Sequence, residues 1–191
     1  MAAFRESRTA QNLLIAYSAE AQARTRYDFF ARRAKDDGYL QISKIFTETA
    51  DQEYEHALRF FKFFNGGTLE ISWPFPAGVI EDTHANLCSS AELERYVHEE
   101  MYQQFAIIAE QEGYRRAADT FEAISNSERQ HETTFRQLAH NIVQEEVFSK
   151  QTSADWRCLA CGYIHHGKVA PEKCPACVRP QGYFELFAPS Y

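Results

Sequence analysis

The chain has 191 residues, of which 45% are hydrophobic and 25% charged, and a net charge of −7. These values suit a globular protein of one large or two modest domains and exclude disordered and collagen-like classes. The acidic balance argues against nucleic acid and against an anionic membrane as partners, since both reward a basic face. Met1-Ala2-Ala3-Phe4-Arg5-Glu6 shows no apolar run long enough for a signal peptide or a membrane span, so a cytoplasmic protein is expected.

Helical periodicity begins near Thr9 and continues through Leu13, Ala16, Tyr17, Glu20, Ala23 and Tyr27 to about Lys35. Asp37-Gly38 is a stop-and-turn signal, and a second helix is predicted from Leu40 to Phe64, ending at Asn65-Gly66-Gly67. Thr68 to about Asp82 holds Pro74, Pro76 and Gly78 without a sustained period and reads as a crossing loop. A third helix follows from about His84 or Ser89 to Glu112, Gly113 turns the chain, and a fourth runs from Tyr114 to about Phe148. Four helices with one long central crossover predict an all-α ferritin-like bundle over residues 1–148.

The two helical hairpins repeat one another. A shift of seventy-five residues superposes Tyr27 on Tyr102, Phe30 on Phe105, Gly38 on Gly113, Phe46 on Phe121, Glu53 on Glu128 and His56 on His131. Glu20, the carboxylate of the first helix, lands on Arg95 rather than on Glu94. The third helix therefore carries one extra residue between Glu94 and Tyr102, which a π-bulge would absorb through i to i+5 bonding.

Glu53-Tyr54-Glu55-His56 and Glu128-Arg129-Gln130-His131 carry the chemistry of the bundle. On a helix, three residues of spacing place carboxylate and imidazole on one face, within reach of one metal ion. That face is the apolar one: Phe46, Ala50, Ala57 and Phe60 surround Glu53, while Phe121, Ile124, Phe135 and Ala139 surround Glu128. Buried carboxylates need a partner. Glu20 and Glu94 with the two Glu-x-x-His pairs make the carboxylate pattern of di-iron and di-manganese bundles. Two ferrous ions would balance the four glutamates, and oxidation could be offset by an oxo or hydroxo bridge. Tyr27 and Tyr102, one or two turns from these residues, are placed to hydrogen-bond carboxylate oxygens. His98, one turn from Glu94, reads as a surface residue or as a neighbour of the site rather than a ligand. His84, His140, His165 and His166 read as solvated.

After Ser149 the composition changes. Residues 149–155 are short and polar and read as a linker, and a second domain is predicted from Trp156 through residue 191. Cys158, Cys161, Cys174 and Cys177 form two CxxC pairs, which in a reducing compartment signal a metal more often than disulfides. Four thiolates select zinc or iron, and so short a domain needs such a staple. Cys88 is left over and reads as a buried inert thiol.

The chain resembles the rubrerythrins over essentially its full length. The resemblance rests on the segment from Ala19 through Tyr27, on Glu53-Tyr54-Glu55-His56, Met101-Tyr102, Ala109 through Tyr114 and Glu128 through His131, and on the tail from Trp156 to Glu185. The tail resembles rubredoxin in Cys161-Gly162-Tyr163 and Pro171-Glu172-Lys173-Cys174-Pro175, which implies iron in the four-cysteine site. The family implies a peroxidase that reduces hydrogen peroxide to water in oxidative-stress defence. Two irons would be held by Glu20, Glu53, His56, Glu94, Glu128 and His131, with a further iron in the four-cysteine site passing electrons to them. Rubredoxin or its reductase, drawing on NAD(P)H, is the donor that the family implies, and a homodimer its assembly. Three residues after the third-helix ligand the family places a further glutamate, which alternates with the second-helix histidine as a ligand. Here that residue is Val97, which puts such movement in doubt. A ferroxidase or iron-handling protein, and a zinc-stapled interaction protein, are the rival readings.

Overall fold

The computed structural model describes residues 4–188. The opening tripeptide, read above for a leader, and residues 189–191 at the end of the second domain lie outside the described residues. Helix α1 spans Arg8–Asp36 and is capped by Ser7, whose hydroxyl accepts from the Ala10 N–H at 3.1 Å. It stops where Gly38 takes φ 88°, a left-handed conformation that costs glycine nothing, and the Tyr39 N–H returns to the Ala34 carbonyl at 2.8 Å. Helix α2 covers Leu40–Phe61, and the crossing segment then runs without helix or strand to the Asp82 cap of α3, Thr83–Tyr96. A π-helical segment, Val97–Met101, joins α3 to α4, Tyr102–Gln111. Gly113, with φ 83°, and a Tyr114 N–H to Ala109 carbonyl bond of 2.8 Å repeat the first hairpin's turn and lead to α5, Arg115–Val143.

The expected π-bulge is thus present, with the Tyr102 N–H bonded to the Val97 carbonyl. It resolves the broken register of the repeat. Glu20 corresponds to Glu94 at a shift of seventy-four, Tyr27 to Tyr102 at seventy-five, and the additional residue lies between them.

Helix α1 packs along α2, and α3 and α4 pack along α5. The bundle core falls into two apolar clusters, one around Leu13, Phe60, Tyr102, Phe105 and Phe121, the other around Tyr27, Phe30, Phe46 and Phe135. The buried acids Glu20, Glu53, Glu94 and Glu128 occupy the level between them. The hairpins are also fastened at their ends by a reciprocal pair of caps. Asp37, at the first turn, accepts from the Thr83 N–H at 3.0 Å and its hydroxyl at 2.6 Å. Glu112, its counterpart seventy-five residues on, accepts from the Thr9 N–H at 2.8 Å and its hydroxyl at 2.5 Å. Each turn carboxylate therefore sits at the positive N-terminal end of the other hairpin's first helix.

The tail is a three-stranded antiparallel sheet in the order β2-β1-β3, with β1 at Ser149–Cys158, β2 at Ile164–Val169 and β3 at Phe184–Leu186. Trp156 and Phe184 fill its core, and the Trp156 indole N–H donates to the Gly167 carbonyl at 2.9 Å. It joins the bundle at the α1–α2 turn. Tyr39 stacks on Phe148, Gly182 lies so close to the Gly38 carbonyl that a Cβ there would collide with it, and Lys44 pairs with Glu185 at 3.4 Å.

Three expectations need correction. Helix α5 ends at Val143 rather than near Phe148, because Glu145 takes φ 57° and the Glu146 N–H closes back on the Asn141 carbonyl at 2.8 Å. Residues 149–155 are the first part of β1 rather than a linker, paired to β2 from Ser149↔Val169 to Asp155↔His166 across a register shift. Their side chains are largely exposed, which is why their composition looks like that of a linker. Cys88 is exposed rather than buried, on the outer side of α3 with Sγ 3.6 Å from His84 Nε2.

The caps yield a test. Burial works against the charge of Asp37 and Glu112, but their bonds to Thr83 and Thr9 prevail and hold both below the usual carboxylate range. Asp37→Ala and Glu112→Ala should each cost about 1 kcal/mol of stability at neutral pH by chemical denaturation. A depressed folded-state pKa gives stability that is present above the ordinary value and lost as the pH falls through the folded one. The deficit of both variants should therefore shrink in acid.

Candidate metal centres

The bundle centre is built by symmetry from the repeat. α1 supplies Glu20, α2 Glu53 and His56, α3 Glu94, and α5 Glu128 and His131; all four carboxylates are at most 4% exposed. His56 Nδ1 lies 2.9 Å from Glu53 Oε2 and 2.9 Å from Glu128 Oε1, while His131 Nδ1 lies 2.8 Å from Glu128 Oε2 and 3.0 Å from Glu53 Oε1. The donor atoms gather into two overlapping groups, Glu20, Glu53, His56 and Glu128 on one side and Glu53, Glu94, Glu128 and His131 on the other. Glu53 and Glu128 belong to both groups, as carboxylates between two ions would.

Tyr27 donates to Glu94 and Tyr102 donates to Glu20, so each tyrosine serves the lone glutamate of the opposite hairpin. Burial, then the charge of Glu94 or Glu20, pushes both phenols well above their ordinary pKa and keeps them neutral donors. Burial and the neighbouring carboxylates also push Glu20 and Glu94 well up. For Glu53 burial acts in the same direction, but the imidazoles of His131 and His56 beside it overcome it and hold the group down to about 2. The histidines move the other way. Burial would lower them, yet Glu128 and Glu53 raise His56 to about 9 and His131 to about 11.

Cations fit this donor set. Glu53 Oε1 and Glu128 Oε1 are buried without a hydrogen-bond partner, since each Nδ1 has one proton to give and gives it to the glutamate of its own helix. Protons on the two imidazoles, and the raised pKa of Glu20 and Glu94, offset the charge of a site whose atoms are arranged to ligate. Two divalent ions would balance the four carboxylates and satisfy the orphaned oxygens.

Two features escaped the sequence reading. Gln52 Oε1 lies 2.9 Å from His131 Nε2, whereas the repeat places the shorter Ser127 at the matching position for His56. His56 instead lines a surface cavity of about 750 Å³ together with Gln52, Asp51, Glu55 and Lys44. His98 is 3% exposed rather than at the surface, and its Nε2 contacts Glu132 at 2.6 Å, apart from the ligand groups. Val97 is packed in the apolar cluster of Leu13 and Tyr102. His140 and His166 are exposed as expected, with His166 Nδ1 2.8 Å from Asp155.

In the tail, Cys158 and Cys161 come from one turn and Cys174 and Cys177 from another. Their sulfurs lie 3.7 Å apart for Cys158 and Cys177 and 3.6 Å for Cys161 and Cys174. A tetrahedron with metal–sulfur bonds of about 2.3 Å has edges of about 3.8 Å, so the thiols are already set for one ion. Both turns use the same backbone bonds: Gly162 N–H to the Cys158 carbonyl and Val178 N–H to the Cys174 carbonyl, each 2.9 Å. Burial opposes ionisation of Cys174, but the N–H groups of Cys177 and Ala176 bring it to about 7. The Tyr163 N–H favours a Cys161 thiolate, yet the other three sulfurs push that thiol up to about 12.

With this geometry the chain matches, over residues 11–139, the family model described as Rubrerythrin. This chain belongs to the rubrerythrin family. Residues 156–185 match the model described as the rubredoxin-like domain of rubrerythrin. The rubrerythrin of Nitratidesulfovibrio vulgaris is 52% identical over 97% of each chain, and that of Porphyromonas gingivalis 44% over 97% of this chain and 92% of its own. A solved structure of nigerythrin in its fully reduced, all-ferrous state superposes with a TM-score of 0.64 at 28% identity, covering 95% of this chain and 90% of that one. The fold is a ferritin-like bundle with a rubredoxin-like domain, as the sequence predicted, and its two centres are compatible with iron. Among the described residues no helix is long and apolar enough to cross a membrane.

The protonation pattern makes loading measurable. Filling the bundle centre at neutral pH should expel protons, those of the two imidazolium ions first, with Glu20 and Glu94 adding to them because burial raises their pKa. Because the histidines stay protonated up to about 9 and 11, affinity should rise with pH. Calorimetric titration with a divalent ion in buffers of different ionisation enthalpy gives the proton count, and a count near zero contradicts this assignment.

Proposed function

We propose that this rubrerythrin-family protein is a peroxidase that reduces hydrogen peroxide to two waters at a dinuclear iron centre. Glu20, Glu53, His56, Glu94, Glu128 and His131 hold that centre in this reading, and Cys158, Cys161, Cys174 and Cys177 hold a single iron that relays electrons to it. The observation that carries the reading is the doubled Glu-x-x-His cluster with its orphaned buried oxygens, in one chain with a preformed four-cysteine site. A pair of ferrous ions held by these residues would supply the two electrons that, with two protons, convert hydrogen peroxide to two waters.

The protein's part is to hold the carboxylates, exclude bulk water and admit a small oxidant. Tyr27 and Tyr102 keep Glu94 and Glu20 aimed inward, and their raised pKa values let them donate without losing the proton. The two apolar clusters close the centre above and below. The cavity beside His56 offers entry from solvent. Val97 is apolar and buried at 7% exposure, which supports a protein shell fixed at four carboxylates with His56 retained in both oxidation states.

In this proposal rubredoxin or rubredoxin reductase delivers electrons from NAD(P)H, and the protein works in the cytoplasm as a homodimer in oxidative-stress defence. The chain's own sheet meets α2 at Lys44, twelve residues or about 18 Å of helix from His56. A sheet from a second copy, seated at the His56 cavity, would shorten the path between the centres. A ferroxidase would have less use for a one-electron carrier in the same chain, which favours the peroxidase.

The decisive measurement is reoxidation of the fully reduced protein. Peroxide should react much faster than oxygen, and comparable rates with ferric loading would support the ferroxidase. Cys174→Ser should abolish donor-driven turnover while leaving the direct reaction of a chemically reduced bundle centre with peroxide intact. Surviving donor-driven turnover would overturn the relay.

A further inference from the structure

The π segment sits between two groups that must both point at the centre. Glu94 precedes it and accepts from Tyr27; Tyr102 follows it and donates to Glu20. A bulge of one residue is not fixed by backbone bonding alone, because the extra residue can pass along a helix as successive bonds exchange between i+4 and i+5 partners. Each residue that the bulge passes turns by about 100° relative to the rest of the helix. Migration toward the N-terminus beyond Glu94 would swing that carboxylate out of the core, and migration beyond Tyr102 would withdraw its hydroxyl from Glu20. Something has to hold the bulge between them.

Helix α5 touches the bulge from one face. His98, inside the segment and 3% exposed, presents Nε2 to Glu132 at 2.6 Å. The backbone carbonyl of His98 accepts from the Ser125 hydroxyl at 3.1 Å and from the Gln103 side-chain amide at 3.3 Å. Glu132 is itself held by Arg136 Nε at 2.6 Å, and Arg136 reaches Glu92 at 2.7 Å. Gln103, after the bulge, also donates to Ser125 Oγ at 3.3 Å, so residues before, within and after the bulge are tied to Arg136, Glu132 and Ser125, which share one face of α5. His98 Nδ1 is buried without a partner, so the imidazole is spent on the Glu132 contact.

We propose that His98 is a positioning residue that pins the π-bulge between Glu94 and Tyr102, acting through Glu132 with its imidazole and through Ser125 with its carbonyl. It touches neither the ligand groups nor the reacting atoms. Its effect is on the aim of Glu94 and Tyr102 together, and so on the metal affinity of the bundle. The inference rests on the dinuclear-centre reading only for that last consequence, since the position of the bulge is a property of the metal-free chain.

The test uses the full chain and two variants. His98→Leu fills the buried space without the Glu132 bond, and His98→Gln keeps a donor. In the metal-free protein, hydrogen exchange of the Tyr102 amide, now bonded to Val97, should speed up about tenfold or more in His98→Leu and return toward the parent rate in His98→Gln. Co²⁺ titration, with the thiolate bands of the four-cysteine site counted separately, should show binding in the bundle weakened about 10- to 100-fold in His98→Leu and recovered in His98→Gln. Ser125→Ala should give a smaller loss that is not additive with His98→Leu, because both act on one latch. Unchanged exchange at Tyr102 in a folded His98→Leu protein, or a crystal structure of that variant with the bulge still at residues 97–101, overturns the proposal. If the parent protein takes up no Co²⁺ in the bundle, the dinuclear reading fails while the exchange measurement still decides the latch.

Discussion

The structure depends on placing four carboxylates and two imidazoles in the middle of an apolar bundle. A buried ion costs several kcal/mol unless it is paired and hydrogen-bonded, so these side chains would tear the core open if each were solvated on its own. The solution is mutual. Glu53 and Glu128 are bracketed by both histidines, and Glu20 and Glu94 each accept from a tyrosine of the other hairpin. Protons stand where two divalent ions would, which lets the core close before any ion arrives. The split of the apolar core into two clusters follows from the same need, since a polar level has to be sealed from both ends.

Much of this was legible because spacing on a helix is rigid. Three residues between Glu53 and His56, and again between Glu128 and His131, fix a shared face whatever the tertiary context. The apolar neighbours of those residues identify that face as the inner one. The one-residue mismatch between the two halves was enough to locate the π segment between Glu94 and Tyr102. What the sequence hid was decided by geometry between helices. Asp37 and Glu112 look like ordinary turn acids until the opposite hairpin brings Thr83 and Thr9 to them. His98 could not be placed because a single histidine carries no period, and its partner Glu132 lies thirty-four residues away. Cys88 looked buried because thiols usually are, while its place on α3 faces outward.

The tail shows the same contrast. Two CxxC pairs force two similar turns, and backbone N–H groups in those turns are what a thiolate needs, so the cluster follows almost directly from cysteine spacing. The strand that leads into it does not. Residues 149–155 are polar because both faces of that part of β1 are wet, and an exposed strand resembles a linker in composition. Val178 is equally opaque: it takes φ 61° where the first turn has Gly162 at φ 78°, a conformation no sequence rule would assign to a β-branched residue.

The crosswise arrangement of partners bears on how the protein is made. Each hairpin leans on the other for part of its polar set: Tyr27 serves Glu94, Tyr102 serves Glu20, and His56 lies as near to Glu128 as to Glu53. When Phe61 has left the ribosome, the first hairpin is complete in sequence but still lacks Tyr102 for Glu20 and His131 for Glu53. At about 5–20 residues per second, the seventy residues to His131 take roughly 4–14 s. During that interval the nascent hairpin is an amphipathic pair whose apolar stripe is interrupted by ionised Glu20 and Glu53. Those charges keep it hydrated and separate from neighbouring nascent chains, so the residues that later gather the centre act first as its solubilising groups.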